Sequence, residues 1–170
     1  MNLADYIRDI PDFPKPGILF KDITPLLAEP AAFQHAIQCM STHYEGQGID
    51  AIAAAEARGF LFAAPLALAL RLPLIPLRKP GKLPYQTHCF QYELEYGSAE
   101  LHVHIDAVRP GARVLVVDDL LATGGTLAAG CHLIEKAGGK VAACAVLVEL
   151  GFLQGRQKLG KFEVFSLVQF

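Results

Sequence analysis

Nowhere does the chain hold about twenty uninterrupted apolar residues, the length a membrane span requires. Its longest apolar stretch, Phe60 to Leu77, is broken by Pro65, Arg71, Pro73 and Pro76 and reads as a core helix followed by a strand. No block of Lys or Arg is present either, and the formal net charge is -2 at pH 7. Nucleic acid is bound through clustered positive charge, so it is excluded as the main partner and any phosphate site must be local. No Cys-x-x-Cys pair occurs: Cys39, Cys89, Cys131 and Cys144 are scattered, as expected of reduced thiols without metal or redox chemistry. His102 and His104 share a strand face by their spacing, but a third ligand is lacking nearby, so they read as a solvated face rather than a metal site. Met1 leads into Asn2-Leu3-Ala4-Asp5 without the basic segment and apolar run of a signal peptide, and the expected location is cytoplasmic. No repeat, low-complexity run or Gly/Ser linker divides the 170 residues. With 52% hydrophobic and 19% charged residues, the expectation is a single domain, residues 1–170, with a substantial core.

What is present is an alternation of apolar runs and helical patterns. Strands are expected over Ile49 to Ala55, Leu74 to Arg78, Val114 to Asp118 and Val141 to Glu149. Helices are expected from Pro30 to about Tyr44, over Gly59 to Leu70 and over Gly124 to Ala137, the last stopped by Gly138-Gly139. This order argues for an α/β fold with a mainly parallel central sheet flanked by helices. Two regions depart from it. Residues 1–28 carry Pro11, Pro14, Pro16, Gly17 and Pro25, which prevent long regular elements. Residues 79–107 alternate polar and apolar residues, Phe90 to Tyr96 and Glu100 to Ile105, around Gly97-Ser98. That pattern reads as an antiparallel hairpin on a Pro/Gly base, a shape suited to a lid.

The segment Val114 to Thr126, VLVVDDLLATGGT, joins a strand buried on both faces to a glycine turn and a helix. Free N–H groups at such a helix start collect phosphate oxygens. A Walker A loop would need Lys before the last Thr, and a dinucleotide fingerprint a third Gly at its own spacing; neither is present. Asp118-Asp119 at the strand's carboxyl end look wrong beside a phosphate unless they accept hydrogen bonds from a sugar diol. The segment therefore points to a ribose phosphate, its phosphate at Ala122, Thr123, Gly124, Gly125 and Thr126. A second strand-to-helix turn, Glu56-Ala57-Arg58-Gly59, lies at the same sheet edge, where Arg58 presents a two-pronged donor to an anion. Arg78, Lys79 and Lys82 follow the next strand; Lys79 and Lys82 are placed to add positive charge, though a basic trio at a strand end is also what a solvated edge looks like.

The long motif resembles the 5-phosphoribosyl 1-diphosphate (PRPP) motif of type I phosphoribosyltransferases. Two phosphate sites suit a ribose carrying phosphate at C5 and pyrophosphate at C1. The resemblance to the adenine branch of that family extends over nearly the whole chain, through Phe13 to Pro25, Arg58 to Phe62, Arg78 to Pro84 and Leu94 to Gly97. It implies the type I phosphoribosyltransferase fold, with residues 1–28 as a small hood and residues 79–107 as a flexible antiparallel lid. It also implies formation of AMP and pyrophosphate from adenine and PRPP in purine salvage, and a homodimer. In the hood, Phe20 would stack on the purine while the backbones of Leu19 and Lys21 read its edge. Glu95 and Tyr96 would belong to the lid, with Glu95 the acid/base at the purine nitrogens. Residue chemistry alone does not separate Glu95 from Glu93; the family pattern selects Glu95. Residues Tyr85 to Gln91 depart most from that pattern. Mg²⁺ is expected on the pyrophosphate, held by substrate and water more than by protein. The alternatives are another purine phosphoribosyltransferase, acting on hypoxanthine, guanine or xanthine, and a PRPP-binding regulator that contacts nucleic acid.

Overall fold

The computed structural model describes residues 1–93 and 98–170. Its N-terminal segment is more regular than its prolines suggest. After a 3₁₀ turn at Leu3–Tyr6, strands β1 (Arg8–Pro11) and β2 (Leu19–Asp22) pair antiparallel, with Asp9 opposite Lys21. Side chains hold this ribbon: Arg8 meets Asp22 at 2.6 Å and Lys21 Nζ meets Asp9 Oδ1 at 2.6 Å. The prolines sit where a missing N–H costs little: Pro25 near the start of helix α1 (Thr24–Ala28), and Pro30 at the start of α2 (Pro30–Tyr44). The Glu29 carboxylate accepts from the Ala31 N–H at 3.3 Å and caps the second helix.

Strand β3 (Ala51–Ala55) is buried throughout, and its alanines let helices approach both of its faces. Helix α3 (Gly59–Leu70) has the expected bounds and leads to β4 (Leu74–Leu77). Arg78, expected to end that strand, instead forms an antiparallel bridge with His102. His102 belongs to the hairpin of β5 (Thr87–Glu93) and β6 (Ser98–His104), so the base of the hairpin is pinned to the end of β4. Residue Gly97, expected in its turn, lies outside the described residues. His102 is not a freely solvated side chain: its ring nitrogens lie 2.6 Å from Glu100 Oε1 and 2.9 Å from Thr87 Oγ1.

Strand β7 (Arg113–Leu121), helix α4 (Gly125–Lys136) and β8 (Lys140–Glu149) follow; the short helix α5 (Arg156–Leu159) leads to β9 (Val164–Gln169). The central sheet has five strands in the order β4-β3-β7-β8-β9, all parallel. Alternate residues of its strands feed two cores. Ile52, Ala54, Leu115 and Val117 pack with α2 and α3 residues such as Met40, Phe62 and Leu66. Ala53, Val114, Val116 and Val146 pack with Leu133 and Ile134 of α4 and with Val103 of the hairpin. The chain thus leaves β3 toward one side and face, and β7 toward the other, which makes the gap between them a topological switch point where α/β sheets bind ligands.

Strand β7 runs three residues beyond the expected end at Asp118. β3 pairs with β7 only as far as Ala54 opposite Val117, whereas β8 continues to Leu121 opposite Glu149. Pairing on one side keeps Asp118 to Leu121 extended and opens the other side to the crevice.

Phe62 is fully buried and meets Phe33 edge-on at 5.7 Å between ring centroids. Phe62→Ala is expected to lower the free energy of unfolding by about 3–5 kcal/mol, checked by equilibrium urea denaturation; a loss under about 1 kcal/mol would contradict this packing.

Candidate active site

Parallel pairing brings the carboxyl ends of β3 and β7 side by side, and each ends in a turn that starts a helix. Glu56, Ala57 and Arg58 follow β3, and Ala122 to Gly124 follow β7. Neither α3 nor α4 receives a side-chain hydrogen bond at its N-cap. At α3 the Phe60 and Leu61 N–H groups donate to the Ala57 and Arg58 carbonyls at 3.3 and 3.1 Å, so this turn meets an anion chiefly through the Arg58 side chain. At α4 the first intrahelical bond runs from Ala128 to Gly124, which leaves the N–H groups of Gly125, Thr126 and Leu127 available to an anion. Gly124 adopts φ +84°, the left-handed conformation that turns the chain sharply into α4. The turns enclose a cavity of about 380 Å³ lined by Glu56, Ala57, Arg58, Asp118 to Thr126 and Leu127.

The carboxylates differ in their surroundings. Asp119 forms an ion pair with Arg58, Oδ2 to Nε at 2.7 Å, and the arginine side chain remains half exposed at 52%. No ion pair to Asp118 occurs among the described residues; its Oδ1 accepts from the Asp119 N–H at 2.9 Å. Burial, then the adjacent Asp119 charge, pushes the Asp118 carboxyl well above its usual range. A Cβ on Gly59 would stand 2.9 Å from Asp118 Oδ1, so only glycine lets α3 start this close to the acid. The arrangement offers paired acceptors for a polyol between two anion-binding turns.

Of the expected site residues, the fold brings together Arg58, Asp118, Asp119, Ala122, Thr123, Gly124, Gly125 and Thr126. Phe20 approaches from the N-terminal ribbon, its ring centroid 5.8 Å from the Arg58 guanidinium carbon and 5.1 Å from the Phe13 ring. Leu19 flanks it on β2, and the Lys21 side chain turns away to Asp9 and the Phe170 ring. Lys79 and Lys82 are exposed and do not line the cavity. Glu95 and Tyr96 lie outside the described residues. Glu56 was named in its motif without a role. Its Oε1 accepts from Arg78 Nε at 2.9 Å and from the Lys79 N–H at 2.7 Å, joining the β3 turn to the segment after β4. Burial opposes its ionisation, but the Lys79 and Arg78 hydrogen bonds outweigh it and hold Glu56 below its ordinary range. An acid opening the turn was the available signal.

Residues 22–168 match the family model described as a phosphoribosyl transferase domain. The chain is 56% identical over 169 residues to the adenine phosphoribosyltransferase of Roseiflexus sp. (strain RS-1), covering 99% of this chain and 98% of that protein. The crystal structure of adenine phosphoribosyltransferase from Thermoanaerobacter pseudethanolicus ATCC 33223 resembles it with TM-score 0.96 and 53% identity, over 99% of this chain and 98% of that one. The Saccharomyces cerevisiae enzyme, complexed with an imino-altritol bisphosphate and adenine, gives TM-score 0.93 and 40% identity over 97% and 96% of the chains.

A carboxyl whose folded pKa is raised favours the folded state when protonated, and that contribution is lost as pH rises through the folded pKa. Asp118→Asn keeps the Oδ1 acceptor and removes the buried charge. It is expected to raise the thermal midpoint by about 2–4 °C, corresponding to roughly 1 kcal/mol, with a gain that grows as pH rises above the ordinary carboxylate range. Calorimetry across that rise in pH checks it; a midpoint lowered at every pH would contradict the assignment.

Proposed function

The chain belongs to the phosphoribosyl transferases, in the adenine branch, and from that premise we propose how its residues carry the reaction. That reaction forms AMP and pyrophosphate from adenine and PRPP in purine salvage. The observation that carries the assignment is the pair of helix-starting turns facing each other across Asp118-Asp119 in one cavity. Thr123 to Thr126 hold the 5′-phosphate through backbone N–H groups and hydroxyls. Asp118 and Asp119 accept hydrogen bonds from the ribose diol and favour positive charge on the ring as the C1–oxygen bond stretches. Arg58 exchanges its partner Asp119 for pyrophosphate oxygens, with Lys79 and Lys82 adding charge from the neighbouring segment. Phe20, already beside Arg58, stacks on the base, and the backbones of Leu19 and Lys21 read its edge.

Glu95 handles the proton of the purine nitrogens, with Tyr96 beside it in the lid; this assignment rests on the Leu94 to Gly97 motif. A carboxyl covered by a closing hairpin loses solvation and gains the raised pKa that proton exchange with a nitrogen base requires. Residues 1–170 act as one domain, with residues 1–28 as the hood and residues 79–107 as the lid. Phosphoribosyltransferases generally use PRPP with Mg²⁺, and the donor chemistry here fits it. No group of three His, Cys, Asp or Glu able to hold a metal occurs among the described residues. The oxygen donors of Asp118 and Asp119 suit a hard cation carried chiefly by substrate. When bound, it neutralises charge on the departing pyrophosphate. The enzyme is read as a cytoplasmic homodimer; no helix among the described residues is long and apolar enough to cross a membrane.

Incubation of purified protein with PRPP, Mg²⁺ and each purine separately should yield AMP from adenine. IMP, GMP or XMP in its place would reassign the base. Glu95→Gln should lower kcat by about 100-fold or more with little change in the KM for PRPP; unchanged turnover would remove Glu95 from the mechanism.

A further inference from the structure

The turn that receives the 5′-phosphate does not hold its shape alone. Beyond β8 the chain folds back across the carboxyl end of β7: the Leu150 N–H donates to the Leu121 carbonyl at 2.9 Å, and Gly155 lies buried against the turn. A Cβ on Gly155 would stand 2.2 Å from the Ala122 carbonyl oxygen and 2.8 Å from Leu121 Cδ1. A Cβ on Gly124 would stand 2.4 Å from the Gly155 carbonyl oxygen. Two glycine backbones are therefore packed directly on each other, and a shift in one displaces the other.

The residue after Gly155 is fixed with unusual completeness. Arg156 donates through Nε and Nη2 to the two carboxylate oxygens of Glu149, both at 2.6 Å, and through Nη1 to the Val164 carbonyl at 3.0 Å. The Ser166 hydroxyl donates to Glu149 Oε2 at 2.7 Å. Glu149 is nearly buried, with a 5% exposed side chain, and it ends β8 opposite Leu121. The Arg156 fork, aided by Ser166, holds the carboxyl below its ordinary range against the cost of burial. One two-pronged ion pair thus ties β8, β9 and α5 together directly behind the turn. None of these residues lines the cavity.

We propose that Gly155 and Arg156 are positioning residues for the 5′-phosphate: Arg156, anchored on Glu149, presses the Gly155 backbone against Ala122 and Gly124 and so sets the direction of the N–H groups at the start of α4. The proposal rests on the assignment of Thr123 to Thr126 to that phosphate. Anion recognition by backbone groups depends on their direction, and a displacement of about 1 Å is enough to cost about 100-fold. A static buttress achieves this without placing a charge in the pocket, where it would compete with Arg58 for the carboxylates.

Steady-state kinetics of Arg156→Gln, Arg156→Lys, Gly155→Ala and Thr126→Val, each with melting curves, test this. Thr126→Val touches only the turn and should raise the KM for PRPP; if it does not, the phosphate assignment fails and the proposal with it. Given that rise, Arg156→Gln should raise the KM for PRPP by about 10-fold or more while the KM for adenine changes less than about two-fold. Arg156→Lys should fall between, retaining the charge and losing the fork. Gly155→Ala should show the same selective rise, and if it does not fold the Arg156 variants decide. An unchanged KM for PRPP in Arg156→Gln, or a lowered melting temperature with only a smaller active fraction, would show a merely structural ion pair and overturn the proposal.

Discussion

The parallel pairing of β3 with β7 is the constraint on which the site depends. Ala54 stands opposite Val117, and past that point the two strands part. From there β3 turns into α3 on one face of the sheet and β7 into α4 on the other. Both helix N-termini consequently open on the same crevice, which is the general location of ligand sites in parallel α/β sheets. Had the strands been antiparallel, the two turns would lie at opposite sheet edges and could not grip one ligand. The alanines of β3 serve the same end, allowing helices to pack closely on both faces.

Within that crevice the charges are arranged unevenly. Two adjacent carboxylates in a partly enclosed cavity repel each other, and among the described residues the fold relieves this chiefly through Arg58 on Asp119. Asp118 is left buried with its carboxyl raised, a cost in stability. The Arg58 side chain is half exposed, and Phe20 stands over it from the β1–β2 ribbon. The neighbouring Glu56 bond to Arg78 and Lys79 then connects the β3 turn to the bridge between Arg78 and His102, and hence to the base of the hairpin. The described part of that hairpin is also docked on α4: Lys136 donates to the Cys89 carbonyl at 3.0 Å, and Phe90 stacks on His132 at 4.8 Å.

Much of this was legible in the residues. The apolar run before Asp118, the glycines of the turn and the strand-helix alternation are local signals, and they located the cavity residues Arg58, Asp118, Asp119 and Ala122 to Thr126. Length of pairing was not legible: nothing in Leu120-Leu121 says that β8 will support β7 for three residues past Asp118. The regular β1–β2 ribbon was hidden by its prolines, because its stability comes from cross-strand ion pairs such as Lys21 with Asp9, which periodicity does not report. The Glu149, Arg156 and Ser166 cluster was missed for the same reason: its members come together only when β8, α5 and β9 pack. Lys79 and Lys82 were named by proximity in sequence to a strand end, and the fold leaves them outside the cavity.

These features converge on one claim, that the β3 turn and the β7 turn grip the two ends of one PRPP molecule with the acid pair between them. A crystal structure of the enzyme with PRPP and Mg²⁺ measures this most directly. The account predicts the 5′-phosphate on the N–H groups of Thr123 to Thr126, the ribose diol on Asp118 and Asp119, and the pyrophosphate at the Glu56 to Gly59 turn with Arg58 released from Asp119. A 5′-phosphate bound at the β3 turn, or a ribose making no contact with either aspartate, would contradict it.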